Sequence, residues 1–239
     1  MEKIADARPR LKARIAGGLY LIVIAGGILA EIVVRERLTV AGDAAATARN
    51  ILANQMLYRA GFAAEVGTCA CNMPLAIIFY DLFKGVNRSL AWLVVFCTLV
   101  GTAVEAVSLL NHFAPLLLLQ GGSYLSAFTT GQLQALAYMS LQLFTQGFSI
   151  ALVFFGVYCL SLGYLILRST FMPRVIGGLL AVEGLCYLIN SYANFLAPGF
   201  ATQFLAYLQI SGVAEIALCL WLLVMGVNEQ RWKEQASAA

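Results

Sequence analysis

The chain has 239 residues, 61% of them hydrophobic and 11% charged, with a formal net charge of +3 and a mean hydropathy of +0.83. No water-soluble core needs that much apolar surface, so a soluble globular domain is excluded. No basic run is interleaved with aromatic residues, which leaves no nucleic-acid footprint and assigns the positive balance to topology and anionic lipid.

In chain order, six apolar runs reach the roughly 20 residues that a helix needs to cross the hydrocarbon of a bilayer. They fall at residues 14–34, 59–83, 89–115, 142–167, 174–197 and 202–227. A basic arm, residues 1–13, precedes the first. Its pairing with the run Ile15 to Val34 looks like a secretory signal. The apolar part is longer than the 7–15 residues usual in such signals and ends at Arg35 without a small-residue cleavage site, so an uncleaved first helix is expected. Glu31, beside Arg35 near the outer surface, reads as a snorkelling or capping group.

Asp43 is placed to cap a helix from Ala44 to Tyr58 that lies on the outer interface. The second span carries Tyr58, Glu65, Cys69 and Asn72, and the third carries Thr98, Thr102, Glu105, Ser108 and His112. Each set follows the three-and-four spacing of one helical face. The outer segment Leu116 to Leu141 has no charge. If Gly131 to Leu167 formed one helix it would measure about 55 Å, so it is expected either to project outward or to break near Gly147. The fourth span presents Tyr138, Gln142, Gln146 and Ser149, the fifth Glu183, Tyr187, Asn190 and Asn194, and the sixth Glu215. A tail, residues 229–239, closes the chain.

Eleven of the 15 basic residues fall on one side of these spans, from Lys3 through Lys84, Arg88, Arg168 and Arg174 to Lys233; only Arg35, Arg37, Arg49 and Arg59 fall on the other. The positive-inside rule then places both termini in the cytoplasm. The expected fold class is all-α: a polytopic membrane protein, a six-transmembrane-helix bundle over residues 14–228 with an interfacial outer helix between spans 1 and 2.

An ionised side chain in hydrocarbon costs roughly 2.5 kcal/mol or more, so the acids within the spans are the functional candidates. Depth along each helix sorts them into two tiers. The outer tier is a ligand-binding pocket lined by Glu65, Glu105, Gln142, Gln146, Asn190, Asn194 and Tyr187. At its floor Glu183 and Glu215 lie level in neighbouring helices, the candidate catalytic or proton-holding pair, because two carboxyls in a low-dielectric site do not readily both ionise. One histidine cannot build bis-His haem or His-rich zinc and iron sites, and Glu105 and His112 lie two turns apart, so no metal or other cofactor is expected. His112 itself reads as interfacial. Six cysteines without a CxxC pattern read as small packing residues. No P-loop, Ser-His-Asp arrangement, HExxH or dinucleotide fingerprint is present.

The stretches RIAGGLYLIVIAGGILAE, GDAAATARNILANQMLYRAG, KGVNRSLAWLVVF, VFFGVYCLSLGYLILRS and PRVIGGLLAVEGLCYLINSYANFL, with the run from Glu215 to Val224, resemble the membrane family called domain of unknown function 4386. NRSL and SYANF are the most distinctive parts, and the resemblance extends from about Arg14 to Asn228. It implies a six-helix bacterial integral membrane protein and no activity. Tyr158 stands where the resemblance leads one to expect a histidine.

The functional expectation is a multi-pass protein of the bacterial inner (cytoplasmic) membrane that binds or transports a small amphipathic or cationic molecule in an acid-lined pocket. An intramembrane enzyme on a lipid or isoprenoid, with a Glu general acid, is the first alternative; a structural subunit of a membrane complex is the second. The expected partners are membrane lipids, the small ligand and a second copy of the chain.

Overall fold

The computed structural model describes residues 8–197 and 212–237. Helices in order are α1 (Pro9–Leu38), α2 (Ala44–Ala53), α3 (Gln55–Phe83), α4 (Arg88–Leu119), α5 (Thr130–Arg168), α6 (Arg174–Leu196), α7 (Val213–Val224) and α8 (Glu229–Ser237). No strand occurs among the described residues. Backbone groups in hydrocarbon must be paired within their own segment, which is why apolar runs of this length become helices.

Five helices, α1, α3, α4, α5 and α6, are long and apolar enough to cross a membrane, and a sixth span is reached if α7 and α8 count as one. Those two meet at 101°. Gly226, with φ +69°, makes the turn, and both its N–H and that of Met225 bond to the Trp221 carbonyl, ending α7. The sixth run expected at 202–227 lies outside the described residues up to 211.

One expectation changes at this level and one pair of alternatives is decided. The helix expected over Ala44 to Tyr58 ends at Ala53, because Asn54 leaves helical geometry (φ −125°, ψ 39°) and α3 begins at Gln55. Asp43 does cap it, accepting the Ala46 N–H at 2.8 Å. Tyr58 therefore belongs to α3, where it is buried. The 39 residues of α5 run as one helix with no break at Gly147, a rod of about 58 Å, nearly twice the hydrocarbon thickness of about 30 Å.

The fold divides into two compact units, one of Met1–Ile22, Cys71–Thr102 and Ser149–Ala239, the other of Val23–Ala70 and Ala103–Phe148. In the first, α5 and α6 approach to backbone contact through reciprocal glycines. A methyl group built at Gly177 would sit 2.7 Å from the Gly163 carbonyl oxygen, and one at Gly184 would sit 2.6 Å from that of Gly156. Gly17 of α1 lies equally close to the Leu223 backbone of α7. Lipid tails are as apolar as leucine, so such contacts must come from close packing, which small residues permit. At one end of this unit Lys12 bonds Asp81 at 2.5 Å, Lys84 bonds Asp81 at 2.9 Å, and Trp232 of α8 donates to the Leu82 carbonyl at 2.8 Å. Arg231 reaches the Thr170 carbonyl at the same end, so basic segments assigned to one side from sequence do gather together.

In the second unit α1 widens into a π-helical turn at Leu29–Arg35, where the Glu36 N–H bonds the Glu31 carbonyl. Val34 packs into Gly61 of α3 and joins a core of Leu38, Ile51, Tyr58, Leu116 and Leu141. Stretches of π-helix recur at functional sites because they rotate the side chains that follow.

Candidate functional site

In the first unit, the glycine contacts hold Cys159 of α5 opposite Glu183 of α6. Gly156 and Gly163 flank the cysteine, and Gly184 adjoins the acid. Close approach of Gly17 to Leu223 likewise sets α1 against α7, bringing Tyr20 to Glu215. Its hydroxyl donates to Glu215 Oε1 at 2.9 Å. Tyr187, one turn after Glu183, donates to Glu183 Oε1 at 3.4 Å. Ligand atoms of Cys159, Glu183 and Glu215 lie within 4.8 Å of one another.

Two of the three residues are buried and Glu215 is half-buried. Cys159 is 0% exposed and Glu183 2%, and the other carboxyl oxygen of Glu183, Oε2, has no hydrogen-bond partner among the described residues. No Lys, Arg or His of the described residues pairs with either acid, and residues 198–211 contain none. Two carboxyl groups so placed, in a medium where a bare charge is costly, need a proton or a cation between them.

The second unit solves the same problem internally. Glu65 of α3 bonds Arg35 of α1 through one carboxylate oxygen and His112 Nδ1 of α4 through the other, the latter at 2.5 Å. Arg35 also pairs with Glu31, one turn earlier on α1, and its guanidinium lies 4.5 Å from the Phe144 ring centre. Tyr58 donates to the His112 backbone carbonyl at 2.5 Å and stands edge-on to the imidazole. His112 is 0% exposed, and its Nε2 has no partner among the described residues. The interfacial histidine expected from sequence is thus a buried one, and Glu65 is a counter-ion already satisfied.

The remaining predicted residues are divided between the two units. Glu105 is half-buried in the second unit, near Cys69. Gln142 and Gln146 are exposed on α5. Phe144 packs beside His112 at 5.2 Å and fixes the phase of that helix, so residues two positions to either side point about 200° away. Asn190 and Asn194 bond each other at 3.0 Å in the first unit, half-buried, on the same helix as Tyr187. Sequence reasoning passed over Arg35, Tyr20 and Cys159. Only Arg35 carried a signal, its four-residue spacing from Glu31.

Long apolar helices with ionisable groups buried among them define a multi-pass helical membrane protein. The chain belongs to the family described as Domain of unknown function (DUF4386), whose profile matches residues 15–226. A stretch of 74 residues is 28% identical to an uncharacterized protein of Archaeoglobus fulgidus, covering 31% of this chain and 43% of that one. No solved structure matches.

Proposed function

We propose that the protein binds and moves a small cationic or amphipathic molecule or ion, with Glu183 and Glu215 as the charge-recognising groups. The observation that carries this reading is the absence of a basic partner for those two acids among the described residues, set against Glu65, which is ion-paired with Arg35 and hydrogen-bonded to His112. A carboxyl pair in such a setting without a protein cation is balanced by what it binds, and exchange of a proton for a monovalent cationic ligand leaves the charge of the site unchanged. Tyr20 and Tyr187 orient the carboxyl groups through their hydroxyls. The setting proposed is the cytoplasmic membrane of a bacterium, with lipids and a second copy of the chain as partners.

Thermal unfolding in detergent tests this. Tetraphenylphosphonium at 100 times its Kd should stabilise the wild type by about 2.7 kcal/mol, whereas tetraphenylborate, of the same shape and opposite charge, should not. Glu183→Gln and Glu215→Gln should each remove the stabilisation. Equal response to both ions would refute charge recognition.

One observation favours a second reading, an intramembrane enzyme on a lipid. His112 is oriented by Glu65 and keeps Nε2 unpartnered, the arrangement of a general base. Incubation with extracted lipids, compared by mass spectrometry with His112→Gln, decides it; identical lipid profiles would remove the enzyme.

A further inference from the structure

We propose that Cys159, Glu183 and Glu215 form a binding site for a divalent transition-metal ion of borderline softness, such as Zn²⁺, Fe²⁺ or Co²⁺. This rests on the cation-binding reading above and names the class of cation. The acids alone would suit a hard ion or an organic ammonium. A thiol within 4.8 Å of both changes the donor set to one sulfur and two oxygens, which Ca²⁺ and Mg²⁺ do not favour and zinc-like ions do. Independently, Glu183 is 2% exposed and retains Oε2 without a hydrogen-bond partner among the described residues, a buried donor atom available to a ligand.

The donors stand somewhat wider than coordination requires. In a tetrahedral site donors bound at about 2.0–2.3 Å to one ion stand about 3.3–3.7 Å apart, so closing the 4.8 Å set needs side-chain movement of about 1 Å. Tyr20 and Tyr187 donate hydrogen bonds to the two carboxyl groups, as outer partners of metal ligands commonly do. Three protein donors leave a fourth position open for water or another ligand, unlike the closed four-ligand set of a structural site. The charge balances as an exchange. One M²⁺ enters, two protons leave from the thiol and carboxyl groups, and the site gains no net charge.

The test uses the full chain purified in detergent and stripped with chelator, then titrated with Co²⁺. The wild type should give intense visible bands and a near-ultraviolet thiolate-to-cobalt band at one ion per chain. Cys159→Ser should lose the charge-transfer band, Glu183→Gln and Glu215→Gln should weaken binding at least tenfold, and Cys97→Ser should behave as wild type. Circular dichroism and gel-filtration volume establish that each variant is folded. Zn²⁺ should displace Co²⁺. A wild type that binds no Co²⁺ while tetraphenylphosphonium still stabilises it overturns the metal site and leaves the organic-cation reading; silence toward both cations overturns the two together. A thiolate band that survives Cys159→Ser also overturns the site.

Discussion

At the residue scale, the contrast between two buried acids decides the account. Glu65 has a guanidinium and an imidazole; Glu183 has a tyrosine hydroxyl and an unpartnered oxygen. Removing one member of a buried pair costs more than removing both, because the orphan stays charged in a poor solvent for charge. Arg35→Leu should therefore destabilise the protein by about 3 kcal/mol, with Arg35→Leu/Glu65→Leu costing less than the sum of the single changes. Chemical unfolding of the four proteins in mixed micelles measures it, and simple additivity would mean the pair is not coupled. The sequence pointed to Glu65, Glu105, Glu183 and Glu215 through their apolar surroundings, and of these Glu65 and Glu183 are buried while Glu105 and Glu215 are half-buried. It did not announce Arg35 as a partner of Glu65, because Arg35 lies just past the last residue of an apolar run and beside Glu31, which already offers it a carboxylate. Cys159 was hidden for a different reason: its neighbours across the interface depend on the register of α5 against α6.

That register belongs to the element scale, where glycines set it. Gly163 and Gly177 face each other across α5 and α6 with no room for a methyl group, whereas Gly178 has nothing within 4 Å of a Cβ position. Gly177→Val should lower stability by about 1–3 kcal/mol and disturb the Cys159 and Glu183 pairing, while Gly178→Ala should be close to neutral. A thermal scan of both variants distinguishes interface from lipid-facing surface; equal losses would contradict the assigned packing. Asp43 offers a local check on α2. Asp43→Ala should cost about 1 kcal/mol and raise amide exchange between Ala44 and Thr47 without affecting the buried acids. The helices were legible from apolar length, and the faces of α3 and α4 from polar spacing, since Tyr58, Glu65, Cys69, Thr102, Ser108 and His112 are all buried. On α5 the same spacing misled, because an aromatic contact, Phe144 on His112, outweighed the amides of Gln142 and Gln146 in choosing the inward face.

For the whole molecule, the gathering of Lys12, Lys84 and Arg231 at one end of the first unit gives the positive-inside argument a structural form. Accessibility labelling of single cysteines introduced at Lys84, Arg168 and Gly122 should find the first two cytoplasmic and the third external; the reverse pattern would invert the orientation. Sequence length and hydropathy sufficed to identify a multi-pass protein. They could not show two compact units, because which helices touch is decided by side-chain shape and small-residue contacts across the interface rather than by apolarity along the chain. The central claim is that Glu183 and Glu215 exchange a proton for a cation, and infrared difference spectroscopy tests it most directly. Adding Co²⁺ or tetraphenylphosphonium to the wild type should remove a carboxylic-acid carbonyl band and create a carboxylate band, and the change should vanish in Glu183→Gln/Glu215→Gln. A wild-type spectrum with no cation-induced carboxyl change, or one that persists in the double variant, would contradict the account.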